Sequence, residues 1–202
     1  MAILRTSPAS PFGRKVTIAA ALLGLSDAFE VVITDTSNPD DPLRVDNPLG
    51  KIPALLPDSG VPIYDSRVIL EYLDLQVGGG AIIPADPADR IKALTLQALA
   101  DGIADASLLQ IYEVRMRAEE ERSPKVLAYQ AAKVARGLAQ LEANPPSAEG
   151  ALTVGEIAVA CMLGYLDLRF HGTWRAEHPR LVAFLDAFAG RVPAFEATKV
   201  QP

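Results

Sequence analysis

Hydrophobic periodicity differs on the two sides of Gly78-Gly79-Gly80, and that difference divides the chain before any motif is considered. Upstream, short apolar runs alternate with a helical stripe. Ile3-Leu4 and the run Phe29 to Ile33 have the length and β-branching of strands. Between them Val16, Ala19, Ala20 and Leu23 recur at helical spacing, and Gly24 follows as a C-cap. Strand, helix, strand in that order predicts a parallel βαβ unit. Ala54-Leu55-Leu56 and Pro62-Ile63-Tyr64 flank Asp58-Ser59-Gly60, which predicts an antiparallel hairpin. Ser66 then N-caps a helix whose apolar stripe is Val68, Ile69, Tyr72 and Leu73.

The order βαβ, loop, ββα over residues 1–77 is that of a thioredoxin-like α/β domain. Residues 78–87, from the glycines to Pro84-Ala85-Asp86-Pro87, read as a linker. Residues 88–202 read as an all-α helical bundle. Ile91, Leu94 and Ala98 begin a long helix that extends toward Arg117, and Ser123-Pro124 is an N-cap with proline at the first helical position. Leu127, Ala131, Val134, Leu138 and Leu141 form one face before Asn144-Pro145-Pro146 ends it. Thr153 and Glu156 have capping-box spacing, and the segment from Ile157 to Phe170 is so apolar that it belongs at the bundle centre. Pro179 and Pro193 open the last helices.

A net charge of −6 argues against a nucleic-acid or anionic-membrane surface, and no apolar run approaches the ~18 residues a membrane span needs. One cysteine and two histidines predict neither a disulfide framework nor a metal site. With no secretory signal at Met1-Ala2-Ile3-Leu4-Arg5-Thr6, these features predict a cytoplasmic protein.

The loop leaving the first strand reads Ser7-Pro8-Ala9-Ser10-Pro11-Phe12-Gly13-Arg14-Lys15. Redox enzymes of this fold class carry Cys-x-x-Cys there. Here the four residues are Ser10-Pro11-Phe12-Gly13, so disulfide exchange through protein thiols is excluded and a hydroxyl stands in the nucleophile's place. The stretch from Ala9 to Val16 resembles the serine-type glutathione transferases of plants and bacteria. Asn47-Pro48-Leu49-Gly50-Lys51-Ile52-Pro53-Ala54-Leu55 is similar to that family's central loop, and Asp65-Ser66 to its γ-glutamyl anchor. The likeness continues at Ala100-Asp101-Gly102-Ile103 and from Ile157 to Cys161.

The resemblance implies a homodimeric enzyme that conjugates the thiolate of glutathione, its co-substrate, to a small hydrophobic electrophile. Ser10 would be the catalytic residue, donating a hydrogen bond to the glutathione sulfur. A bond to a charged partner is worth about 1.5–3 kcal/mol, or one to two pKa units at about 1.4 kcal/mol each. Ser10 is equally placed to N-cap the following helix, and Ser7 is a rival hydroxyl. Glutathione would further meet Phe12, Lys51, Ile52, Pro53, Asp65, Ser66 and Asp105. Ile52 would pair its backbone with the cysteinyl backbone ahead of a cis Pro53, and Asp65 and Ser66 would hold the γ-glutamyl end. Lys51 would reach the glycine carboxylate or stand as a solvated turn lysine.

Where many relatives carry a basic residue ahead of the second helix, this chain reads Ser37-Asn38-Pro39-Asp40-Asp41-Pro42, with Arg44 the nearest cation. Asp101 and Asp105, four apart, project from one helix face, and their repulsion asks for an external partner. The resemblance implies that Asp105 crosses a dimer interface to the neighbouring subunit's glutathione; hydration in the cleft is the alternative. Ala9 and Phe12 would wall the second-substrate pocket from one side, and Tyr112, Arg115 and Trp174 from the other, with Arg115 favouring an anionic or electron-poor electrophile. Cys161 reads as core. The same scaffold also serves glutathione-dependent isomerases, ether-cleaving enzymes, dehalogenases and non-catalytic glutathione transferase-like binding proteins.

Overall fold

Strand β1 (Ala2–Thr6) is the middle of a three-stranded sheet of order β2-β1-β3. The computed structural model describes residues 1–200. β1 pairs in parallel with β2 (Phe29–Ile33), with Ala2 opposite Phe29 and Thr6 opposite Ile33, as the βαβ pattern predicts. It pairs antiparallel with β3 (Ala54–Leu56), with Ile3 opposite Leu56. The predicted hairpin is shorter than expected, because Ile63 forms only an isolated bridge to Leu55, with N–H···O distances of 2.9 and 2.7 Å. Pro53 and Pro57, at the next hydrogen-bonding positions on either side of Leu55, lack the N–H groups that would extend the ladder.

Helix α1 (Pro11–Leu22) lies between the sheet and the helical half, which explains why it is apolar on two sides. Val16 and Ala20 join Leu4, Phe29, Leu55, Ile69 and Leu73 in a core under the sheet. Ile18 and Ala19 join a larger core built from the helices downstream. Gly24, at φ +71°, follows the last turn of α1. A short helix α2 (Leu43–Asp46) precedes the Asn47–Pro53 loop. Helix α3 (Ser66–Gln76) packs on α1. Its N-cap is Asp65, not Ser66: the Asp65 carboxylate accepts the Arg67 N–H, and Ser66 becomes the first helical residue, 3% exposed. Both residue types cap well, and the longer reach of Asp65 takes the position.

The glycine break is pinned. The Asp74 carboxylate accepts the N–H groups of Gly80, Ala81 and Ile82 at 2.8–2.9 Å. Ile82 and Ile83 are then buried in the larger core. Helix α4 (Pro87–Met116) starts at Asp86-Pro87, where the Asp86 side chain accepts from Ala88 and Asp89, and it ends one residue short of Arg117. Helix α5 (Pro124–Ala143) is capped by Ser123. Helix α6 (Val154–Phe170) opens with the predicted Thr153–Glu156 capping box, packs chiefly on α4 and α1, and is buried along most of its length. Helices α7 (Pro179–Arg191) and α8 (Pro193–Ala197) complete the bundle. The result is a thioredoxin-like α/β unit joined to an all-helical one. Among the described residues, no helix is long and apolar enough to cross a membrane.

Candidate active site

The loop from β1 to α1 turns at Ser7–Ser10, with the Ser10 N–H donating to the Ser7 carbonyl at 2.9 Å. Gly13 lets the first turn of α1 press onto the end of β1, since a Cβ there would lie 1.7 Å from Thr6 Oγ1. Ser10 is the N-cap, its Oγ accepting the Gly13 N–H at 3.1 Å. A serine hydroxyl has two acceptor lone pairs and one proton, so capping leaves that proton free to be donated outward. The capping and thiol-binding readings of Ser10 are therefore compatible on one oxygen.

Ser10 borders a cavity of about 120 Å³ between the two halves. Ala9 and Arg14 line it from the first half, Cys161 and Tyr165 from α6, and Lys199 and Val200 from the C-terminal stretch. Ser7 is not among its walls. Cys161 is buried, and desolvation pushes its thiol up to about 12, so it is inert core lining as expected.

The central loop is shaped by Asn47, which is buried, donates from Nδ2 to the Lys51 carbonyl at 2.8 Å and accepts the Leu49 N–H at 3.0 Å. The Ile52–Pro53 peptide is cis. Among the described residues, neither the N–H nor the carbonyl of Ile52 has a backbone partner, so both are available at the sheet margin. Lys51 is exposed. Arg44 is held locally, donating to the carbonyls of Asn38 and Thr36, so it fastens the acidic loop.

Asp65 is paired with Arg67 at 2.7 Å. That bond holds the Asp65 carboxyl below its ordinary range and raises the Arg67 guanidinium. The sequence reading missed Arg67, although its position one turn-step after the cap was a visible signal. Asp105 is exposed on α4, and its carboxyl is raised, first by desolvation and then by the charge of Asp101, against the pull of Lys51 and Arg67. Lys51, Asp65, Arg67 and Asp105 thus face one another electrostatically. Asp101 corrects the expectation of an external partner. Lys15, 1% exposed, meets both its oxygens at 2.7 and 2.9 Å, tying α1 to α4.

On the electrophile side, of the expected walls only Ala9 lines the cavity. Trp174 is core, its Nε1 donating to Asp167 at 2.9 Å, and it supplies no wall. Phe12 packs against the shared core and does not line the cavity, whereas Ala9 does. Tyr112 is half-buried and Arg115 exposed; neither lines the cavity, but both act on Tyr165, which does. Tyr165 was not singled out in the sequence, although it lies one turn beyond Cys161 on the helix the sequence places centrally.

A thioredoxin-like unit presenting an N-capping serine, a cis-proline loop and an acidic helix cap, joined to a helical bundle, defines a glutathione transferase scaffold. Residues 9–76 match the family described as "Glutathione S-transferase, N-terminal domain", and residues 97–187 match "Glutathione S-transferase, C-terminal domain". The uncharacterized GST-like protein YibF of Escherichia coli K12 is 33% identical over 186 residues, covering 90% of this chain and 91% of that protein. The chain belongs to the glutathione S-transferase family. A family member from Pseudomonas fluorescens Pf-5, solved with bound glutathione, is 42% identical and superposes with a TM-score of 0.92 over 100% of both chains. A second structure of a Pf-5 member, with bound S-(propanoic acid)-glutathione, is also 42% identical and gives 0.88 over 100% of both chains.

Proposed function

We propose that this protein binds glutathione across residues 1–77 and transfers it to a small electrophile held against residues 88–202, with 78–87 as the connection. The observation that carries the reading is Ser10: its oxygen is fixed by the Gly13 N–H, its proton is free, and it borders the cavity between the halves. The amino end of α1 adds partial positive charge at the same place. The thiol of glutathione ionises to solvent, and the Ser10 hydroxyl donates to the resulting thiolate. The thiolate attacks the electrophilic carbon, and the leaving group departs with its bonding pair.

The unpaired Ile52 peptide groups suit the cysteinyl backbone of the tripeptide, as an added strand would. The Ser66 amide and hydroxyl at the start of α3 suit the γ-glutamyl carboxylate. Asp65, held anionic by Arg67, and Asp105 suit its ammonium group, and Lys51 suits the glycine carboxylate. Glutathione in the Pseudomonas relative supports this assignment, and the propanoic acid thioether bound there supports conjugation as the chemistry. A cytoplasmic homodimer, in which Asp105 serves the neighbouring subunit's tripeptide, completes the proposal.

The test is calorimetric titration with glutathione, paired with conjugation of an aryl halide. Saturable binding, weakened in Asp65→Ala, together with turnover above the uncatalysed rate, is expected. Absence of binding removes the reading, and binding without turnover of any electrophile reduces it to a non-catalytic glutathione-binding protein.

A further inference from the structure

The stretch beyond α8 supplies part of the wall around Ser10, and one side chain of α1 fastens it there. Lys199 and Val200 line the cavity together with Ser10 and Arg14. Just upstream, Phe195 of α8 is 4% exposed, its ring edge-on to that of Phe188 with centroids 5.6 Å apart. The Arg14 guanidinium lies 4.0 Å from the centroid of the Phe195 ring. Its Nη2 donates to the Phe195 carbonyl, and its Nε donates to Thr198 Oγ1 at 3.0 Å. The Thr198 N–H donates to the Ala194 carbonyl and the Lys199 N–H to the Glu196 carbonyl, both at 3.1 Å, so the turn after α8 is fixed up to the cavity. Gly164 on α6 leaves room for the guanidinium, since a Cβ there would lie 2.5 Å from Arg14 Nη1. The Arg14 N–H itself closes the first turn of α1 on the Ser10 carbonyl at 3.0 Å. The proposed thiolate donor and the clamp on the wall are therefore one turn apart on the same helix.

A buried charge is tolerated only where its donors are satisfied. Among the described residues, every hydrogen bond of the Arg14 side chain goes to α8 or to the residue just after it. A guanidinium suits this task, because its rigid planar fork can stack on a ring and donate in two directions at once. We propose that Arg14 is a positioning residue for the electrophile: it clamps Lys199 and Val200 as a fixed wall beside Ser10, and that wall limits the size of the compound conjugated. The inference rests on the transferase reading above and adds the determinant of substrate size. A cavity of about 120 Å³ admits one small ring or a short chain, being below the ~300 Å³ at which ordinary ligand pockets begin. A larger compound has to push the stretch aside, against the bonds to Arg14, before its reacting carbon can align with the sulfur.

The test is a matched pair of aryl chlorides, chlorodinitrobenzene and chlorodinitronaphthalene, with the nitro groups placed alike relative to chlorine. In each, glutathione thiolate forms the S–C bond and chloride leaves with its electron pair. Each kcat/KM is divided by its own uncatalysed rate constant, which removes intrinsic reactivity. The wild type is expected to prefer the single ring by roughly 10- to 200-fold, the range that a misfit of pocket size supports. Val200→Gly cuts back the wall itself, and Thr198→Val removes the acceptor of Nε at a residue that does not line the cavity. Arg14→Lys keeps a cation on α1 but loses the fork. Each of the three is expected to lower the preference, whereas a general loss of folded enzyme lowers both rates together and leaves the ratio alone. Equal enhancement of the two chlorides by the wild type overturns the inference and leaves the transferase reading standing. A preference that survives in Val200→Gly overturns the wall, and one that falls there but survives in Thr198→Val and Arg14→Lys overturns the clamp. If neither chloride is conjugated although glutathione binds, the transferase reading itself falls.

Discussion

Ser10→Ala separates the two jobs assigned to one oxygen. As a cap, Ser10 accepts the Gly13 N–H, and losing that bond costs about 0.5–2 kcal/mol. At about 2–4 °C per kcal/mol for a chain of this size, the melting temperature falls by a few degrees. As a donor to the thiolate, Ser10 contributes about 1.5–3 kcal/mol to the anion alone. At about 1.4 kcal/mol per unit, this lowers the bound thiol by one to two units from its ordinary value of about 8.5. The bound thiol in the wild type should then titrate near 6.5–7.5 and in the variant near 8.5, less whatever the amino end of α1 supplies to both.

The assay is a pH titration of ultraviolet thiolate absorbance in the binary complex, alongside a pH–rate profile. At pH 7 the thiolate fraction should fall from roughly a quarter or more to a few per cent. The rate should fall by less than that fraction, because a more basic thiolate is a better nucleophile, with a Brønsted slope of about 0.4–0.5. The profile is thus displaced to higher pH, and the variant recovers in alkali. A profile scaled down at every pH with an unchanged midpoint, accompanied by the melting shift, refutes the argument. Ser10 would then be a cap only, and the thiol would be ionised by backbone amides or Ser7.

Three further outcomes follow from buried or crowded charges. Lys15→Met strands the Asp101 carboxylate and should destabilise the fold by about 3–5 kcal/mol in urea unfolding, with most of the loss recovered in Lys15→Met/Asp101→Leu; a cost below about 1 kcal/mol would contradict the pairing. Cys161, with its thiol pushed up to about 12, should resist iodoacetamide in the native protein at neutral pH and react once denatured, as read by mass spectrometry; native labelling would show that the cavity floor is open. Asp105 has a raised carboxyl, so the folded form holds its proton more tightly and stability from this group rises as pH falls through the raised value. Asp105→Asn should flatten that rise as the pH falls toward the ordinary carboxylate value of about 3.9, and an unchanged pH slope would show that the charge is not strained.

The elements that could be read from sequence are those whose signals are local. Ser123-Pro124, Thr153 with Glu156, and Gly24 act within one turn of themselves, and each stands where its chemistry predicts. Asp65 and Ser66 show the limit of such signals: adjacent residues with equal capping chemistry leave the boundary undecided until Arg67 engages Asp65. The hairpin was overestimated because alternation and turn residues predict a ladder that two prolines cannot complete.

Partnerships between distant charges leave no local trace. Asp101 shows in sequence only Asp105 four residues away, and repulsion between them points outward, yet its partner Lys15 lies 86 residues upstream. The same is true of the pocket. Arg14 and Tyr165 acquire meaning as cavity walls only when α1 and α6 converge. The residues proposed to meet glutathione lie on loops continuous in sequence, and so they could be singled out there. The cavity beside Ser10, by contrast, is closed by α1, α6 and the C-terminal stretch together, and it becomes visible only in the fold.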